Sequence, residues 1–146
     1  MSQADASSRL QPKAALLAGL AGGDLAAVIN GILFVVGSVS EDVLVQGRPI
    51  ALGQVVVSSI LPLFLAGGLL AALARRPGGE RRFGIAAAVL TILSLALPFT
   101  LPNAPGSMIL TLLVMHLVAG GIAVFVVPCL AAVWSGPRSS AAGRTA

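Results

Sequence analysis

The run MILTLLVMHLVAGGIAVFVVPCLAAVW, residues 108–134, holds 27 consecutive positions without an Asp, Glu, Lys or Arg. An α-helix rising 1.5 Å per residue needs about 20 apolar residues to cross a hydrocarbon core of about 30 Å, so this stretch predicts a membrane-spanning helix. Working back toward the N-terminus, three further runs meet the same criterion, at about 83–101, 51–74 and 14–39. The segments between them are short and carry turn chemistry. SEDVLVQGRPI (40–50) is charged, RRPGGERR (75–82) contains Pro77 and the Gly78-Gly79 pair, and PNAPGS (102–107) contains two prolines with Asn103 and Gly106. The fold class predicted is all-α: an integral-membrane four-helix bundle at 14–134, between a flexible polar head (1–13) and a flexible cytoplasmic tail (135–146).

Composition points the same way. Of 146 residues 57% are hydrophobic and only 10% charged, with a mean hydropathy of +1.00, whereas soluble domains carry about a quarter charged residues to solvate their surface. Disorder, a disulfide-stapled secreted fold and an ordinary cytosolic enzyme are excluded. Cys129, the single cysteine, cannot form an intrachain disulfide or a CxxC pair. The net charge of +4 comes from basic residues at the edges of the apolar runs and not from a stripe interleaved with aromatics, so nucleic acid is not a predicted partner. The lipid bilayer is.

Charge asymmetry orients the bundle. Arg9 and Lys13 precede the first run, Arg75, Arg76, Arg81 and Arg82 separate the second from the third, and Arg138 and Arg144 follow the fourth; only Arg48 lies on the opposite side. By the positive-inside rule both termini face the cytoplasm, with Glu41 and Asp42 outside, in a cell inner (plasma) membrane. The order of Arg9, Lys13 and AALLAGLAGG imitates a signal peptide, but hydrophobicity resumes after Asp24 through LAAVINGILFVV, longer than a signal h-region of about 7–15 residues. The first run is read as a retained helix.

Lipid is as apolar as leucine, so helices in a membrane associate through close backbone approach at small residues. The first run offers Gly19 and Gly23, continued by Ala26, Ala27 and Asn30; the second offers Gly67 and Gly68, then Ala71 and Ala72; the fourth offers Ala119, Gly120, Gly121 and Ala123. Packing within one bundle is the plainer reading, and a homo-oligomer or membrane-protein partner face the other. Pro62 lies near the centre of the second run and predicts a kink there, with Ser58 and Ser59 bonding back to their own helix or opening a cavity. Pro98 and Pro128 fall near the ends of the third and fourth runs. Trp134 sits where an interfacial aromatic anchor belongs.

The polar residues at depth are the candidate site. Asp24 lies near the midplane of the first run, where an aspartate costs about 2.5–3.5 kcal/mol on insertion scales, and is read as turned inward, where it is paired, hydrated or neutral. His116 lies at a comparable depth in the fourth run. Ser58, Ser59, Thr91 and Ser94 overlap them in depth, so these six are predicted to form one buried polar layer. Two roles are open for it: a proton relay through Asp24 and His116, or hydrogen bonds that fix helix register. No HExxH, GxSxG or P-loop pattern is present, and one histidine gives a haem at most one axial ligand. No catalytic residue, metal ligand or cofactor is predicted.

Phe83 directly after the basic turn, Ser94 and Pro98 in the third run, the proline-containing loop, and Leu112 followed by Met115-His116-Leu117-Val118 in the fourth resemble a family of small actinobacterial membrane proteins, a four-helix domain of unknown function. The resemblance covers about residues 14–133. It implies four spans and gives His116 a place; it implies no activity, substrate or cofactor, and Asp24 is not part of its pattern. The function expected is that of a non-enzymatic structural or accessory membrane component. The alternative is a proton-coupled small-molecule carrier working as an oligomer, with Asp24 as the coupling group; an enzyme of lipid or quinone chemistry comes third.

Overall fold

A computed structural model of the protein describes residues 10–37, 44–45 and 48–136. Most of the predicted head and tail, the acids Glu41 and Asp42, and the last residues of the first predicted run lie outside the described residues.

Helix α1 (Pro12–Val36) opens with a proline in its first turn, where the missing N–H is no loss. It closes at Gly37, whose N–H donates to the Leu33 carbonyl at 2.7 Å. A minimal antiparallel ladder, β1 (Leu44–Val45) against β2 (Arg48–Pro49), follows. In α2 (Leu52–Leu73) the Gln54 side chain accepts from the Ala51 N–H at 3.0 Å and ties down the entry. The turn after α2 passes through Gly78 at φ 69°, a left-handed conformation suited to glycine. The next residue, Gly79, sits hard against the Leu73 carbonyl, leaving no room for a side chain. Helix α3 (Gly79–Ser94) therefore starts four residues before the predicted 83, taking in the second half of the basic turn. It stops at Ser94 because Pro98, four residues on, has no N–H to return, and the chain tightens into a 3-10 turn over Leu97–Thr100. The fourth span is one continuous run from Gly106 to Ser135. It is built from α4 (Gly106–Gly121), a π-helical turn (Ile122–Val126) and α5 (Val127–Ser135), with Pro128 in the first turn of α5.

Four helical spans, Pro12–Val36, Leu52–Leu73, Gly79–Thr100 and Gly106–Ser135, are long and apolar enough to cross a membrane. They form an antiparallel ring in which α1 packs on α2, α2 on α3, α3 on α4, and the fourth span closes back onto α1 along both α4 and α5. Small residues make up much of the interior, beside a few large side chains such as Phe83, Leu63, Leu70 and Met108, and many large ones face out. Ala15, Ala18, Ala26 and Ala131 are fully buried, whereas Val36, Phe125, Val35 and Ile92 are each more than 65% exposed. A water-soluble bundle does the reverse, because it is driven together by burying large apolar groups; this is the arrangement of a multi-pass membrane protein.

The tightest seam is α1 against α2. A Cβ on Gly19 would stand 2.6 Å from the Leu63 carbonyl oxygen and 2.8 Å from the Gly67 Cα, and a Cβ on Gly67 would stand 2.6 Å from the Ala15 carbonyl oxygen. The two backbones touch without intervening side chains. At the end of the bundle that bears Gln11 and Ser135 the chain also closes on itself, since the Gln11 N–H donates to Ser135 Oγ at 2.9 Å and Gln11 Nε2 to the Ser135 carbonyl at 3.0 Å. Buried Leu10 joins the core there, so the packed unit reaches beyond the predicted 14–134 at both ends.

Gly19→Ala must push α1 off α2, since the groups it meets are backbone. Equilibrium unfolding in bicelles should show a loss of about 1–3 kcal/mol, the usual scale of overpacking. Gly53→Ala, whose Cβ meets nothing within 4 Å, should be neutral or stabilising by up to about 1 kcal/mol.

Candidate functional site

The six polar residues separate into three places. The first is the α1–α2 seam. Asn30 follows Gly23 and Ala27 along the face of α1 that meets α2, and its Nδ2 donates to Ser59 Oγ at 3.0 Å. Both side chains are 3% exposed. Asn30 Oδ1 is buried with no hydrogen-bond partner. Among the described residues, this bond and the Gln11–Ser135 pair are the side-chain hydrogen bonds that join one span to another. Asn30 was legible as part of a small-residue face but not as a polar partner. The signal available was angular: neighbouring residues on a helix point about 100° apart, so Ser58 and Ser59 cannot both face one layer.

The second place is a chamber of about 740 Å³ between α2, α3 and α4, lined by Ser58, Thr91, Ser94 and His116 with apolar neighbours that include Pro62 and Phe83. It lies where α3 stands off from α2 between two buried ends. The buried residues of α3 are Gly79, Phe83 and Ala87, all in its first nine positions, and the span is buried again at Pro98 in the turn that follows. Between them Thr91 keeps a close contact, its side chain pressed against Gly120 of α4. From that contact, three residues up α3 reach Ser94 and four residues back along antiparallel α4 reach His116. The two rise by about 4.5 Å and 6 Å respectively, which puts Ser94 and His116 on nearly one level.

Each polar side chain of the chamber bonds to its own helix. Ser58 Oγ donates to the Val55 carbonyl (3.1 Å), Thr91 Oγ1 to Ala87 (2.8 Å) and Ser94 Oγ to Thr91 (2.7 Å). His116 Nδ1 lies 2.7 Å from the Leu112 carbonyl. A carbonyl only accepts, so Nδ1 carries the proton and Nε2 of the neutral ring is left as an acceptor. The back-bonding expected for Ser58 next to Pro62 is present.

The third place holds Asp24, and here the predicted layer is corrected. Asp24 is exposed. It heads an outward stripe with Val28, Ile32 and Val35 and lines a groove of about 600 Å³ whose other wall is Leu52, Val56 and Ile60 of α2. His116 lines the chamber and not this groove. The reason is again angular: α1 spends the faces bearing Gly19, Gly22 and Gly23 on α2 and the fourth span, and Asp24, one position past Gly23, is rotated off them. Matching depth brought Asp24 and His116 to similar levels, but on different sides of α2.

No group of three or more His, Cys, Asp or Glu side chains suited to a metal ion occurs among the described residues, and Cys129 is exposed. What the arrangement offers chemically is a lone carboxylate on an apolar groove and, separately, an apolar chamber with acceptor groups.

The model of a family of unknown function, DUF6069, matches residues 10–133, the four spans almost entire. No curated protein and no solved structure matches the chain.

Double-mutant cycles should register this partition. Asn30→Ala with Ser59→Ala should couple by about 0.6 kcal/mol and at most about 1.7, the range for hydrogen bonds between membrane helices. Asp24→Asn with His116→Ala should be additive within about 0.5 kcal/mol, as for separated sites; unfolding in bicelles measures both.

Proposed function

The chain belongs to DUF6069, a family of unknown function, and from that premise we propose that it is a non-enzymatic accessory component of a plasma membrane, docking another membrane protein through the α1–α2 groove with Asp24 as the anchor. One observation carries the reading. Asp24 is twelve residues from either end of α1, about 18 Å of helix each way, and it faces outward there. A bare carboxylate at that depth costs about 2.5–3.5 kcal/mol. A transmembrane helix that lays apolar side chains along Val28, Ile32 and Val56 and sets a hydrogen-bond donor against Asp24 removes that cost and covers the groove. The chain's own Lys and Arg lie in its terminal and loop-flanking segments, so a second copy brings neither to this depth. A partner of different sequence fits better.

The carrier reading needs Asp24 on a path shared with His116, and their separation favours docking. Charge supports the orientation: Arg75, Arg76, Arg81 and Arg82 flank one turn, which by the positive-inside rule favours that turn and both termini on the cytoplasmic side. The resemblance to small actinobacterial proteins is in keeping with a bacterial inner membrane.

A photoreactive residue placed at Val28 should give a discrete adduct in native membranes, while one at Phe125, exposed on the fourth span, gives none. Asp24→Leu should abolish the adduct and Asp24→Asn, which still hydrogen-bonds, should retain part of it. An adduct indifferent to Asp24→Leu, or equal at both positions, would overturn the docking site.

Orientation is tested separately in intact cells after Cys129→Ser. A membrane-impermeant thiol reagent should label Gln46→Cys and spare Glu80→Cys, an exposed position in the basic turn; the reverse pattern would invert the topology.

A further inference from the structure

We propose that the chamber between α2, α3 and α4 binds a neutral amphiphile drawn from the bilayer, a lipophilic alcohol or phenol, whose hydroxyl donates to His116 Nε2. The hydrogen-bonding character of the walls sets the ligand class. Ser58, Thr91 and Ser94 have each committed their hydroxyl proton to a carbonyl of their own helix, and His116 has committed its Nδ1 proton to Leu112. What remains on all four is lone pairs. Pro62, which has no N–H, adds another by leaving the Ser58 carbonyl without its α-helical donor. The lining contains no Lys, Arg, Asn, Gln, Trp or Tyr to supply a proton, so the ligand must bring one. It contains no carboxylate either, so a full positive charge would lie unneutralised among apolar walls; the donor is a neutral hydroxyl.

Size and access fit the same class. The volume of about 740 Å³ falls in the range of about 300–1,000 Å³ typical of small-molecule pockets. Leu65, Leu90 and Leu97 line the chamber and are also 57–61% exposed on the lipid-facing surface. The mouth is therefore lateral, between α2 and α3, and the ligand enters from the hydrocarbon. Ser94, level with His116, stands ready to accept from a second donor or from the same hydroxyl. The chamber uses a different face of α2 from the Asp24 groove, so this inference and the docking reading fail independently.

The probes are a diazirine-bearing hexadecanol and its methyl ether, identical except for the donor, applied to the full chain in phosphatidylcholine nanodiscs. Photolabelling is mapped by mass spectrometry and read as the yield on the 58–66, 87–97 and 116–123 segments relative to the outward face of α1. The alcohol should label the chamber segments about tenfold more than the ether does, as for a buried acceptor left unpaired, and unlabelled dodecanol should compete. His116→Leu should bring the alcohol down to the level of the ether without changing the ether. Ala123→Phe, which fills the chamber, should remove the excess of both. Equal labelling by alcohol and ether in the unmodified chain would overturn the donor requirement, and absence of chamber labelling above the α1 reference would overturn the site.

Discussion

Everything in this bundle hangs on backbone contact between two helices. Gly19 and Gly67 bring α1 and α2 together with no side chain between them, and the same closeness seats Asn30 against Ser59 further along the seam. In a membrane no solvent squeezes helices together, so such contact, with a few hydrogen bonds, is the cohesive term. The rest of the ring is looser and borrows its order from that pair. Helix α5 rests on α1 through Gly22, which would clash with Val127 if it bore a side chain. Helix α3 is held chiefly by the fully buried Phe83 and by Ala87. The grading of tightness around the ring is what leaves the chamber: α1 and α2 touch backbone to backbone, whereas beside the chamber α3 meets α4 through the Thr91 side chain at Gly120.

The four spans were legible because length and charge each constrain them. Apolar runs fixed the crossings, and the arginines fixed which turns belong to one side. Boundaries moved by a few residues where local chemistry overrode composition; Gly79 starts α3 within the basic turn because charged side chains do not prevent a helix from starting, while the left-handed Gly78 does mark its beginning. The candidate site was less legible. Depth is readable from a count of residues, but azimuth depends on which face a helix presents to its neighbours. The small-residue face of α1 contained that information, since Gly19, Gly23 and Asn30 define it and Asp24 falls beside it. The π turn at Ile122–Val126 had no sequence marker beyond the proline just after it.

Two kinds of polar residue coexist at depth, and they differ in what they ask of the surroundings. Ser58, Thr91, Ser94 and His116 are each satisfied by a carbonyl on their own helix, so they cost little to keep and leave acceptors pointing into a cavity. Asp24 is turned toward a groove of apolar side chains, and its needs are met only from beyond the chain's own packed interior. The first group lines a chamber, the second a groove on the outer surface.

The π turn in the fourth span carries a mechanical consequence. An α-helix advances 100° per residue, and one turn closed by i to i+5 bonding, with the Val127 N–H on the Ile122 carbonyl, delays that advance by about one residue's rotation. The helix is thereby re-phased partway along. Above the turn it divides its contacts between α1 and α3; below it, Val127 and Ala131 face α1. One rod thus serves two sets of neighbours whose faces would otherwise drift out of alignment. Removing a single residue from 122–126 would restore a regular helix and leave Val127 and Ala131 facing α1, because the turn holds one residue more than an α-helix of the same rotation; the same deletion in the regular helix on either side would swing every side chain beyond it by about 100° around the axis. In this protein the length of the fourth span is forgiving, but its phase is not.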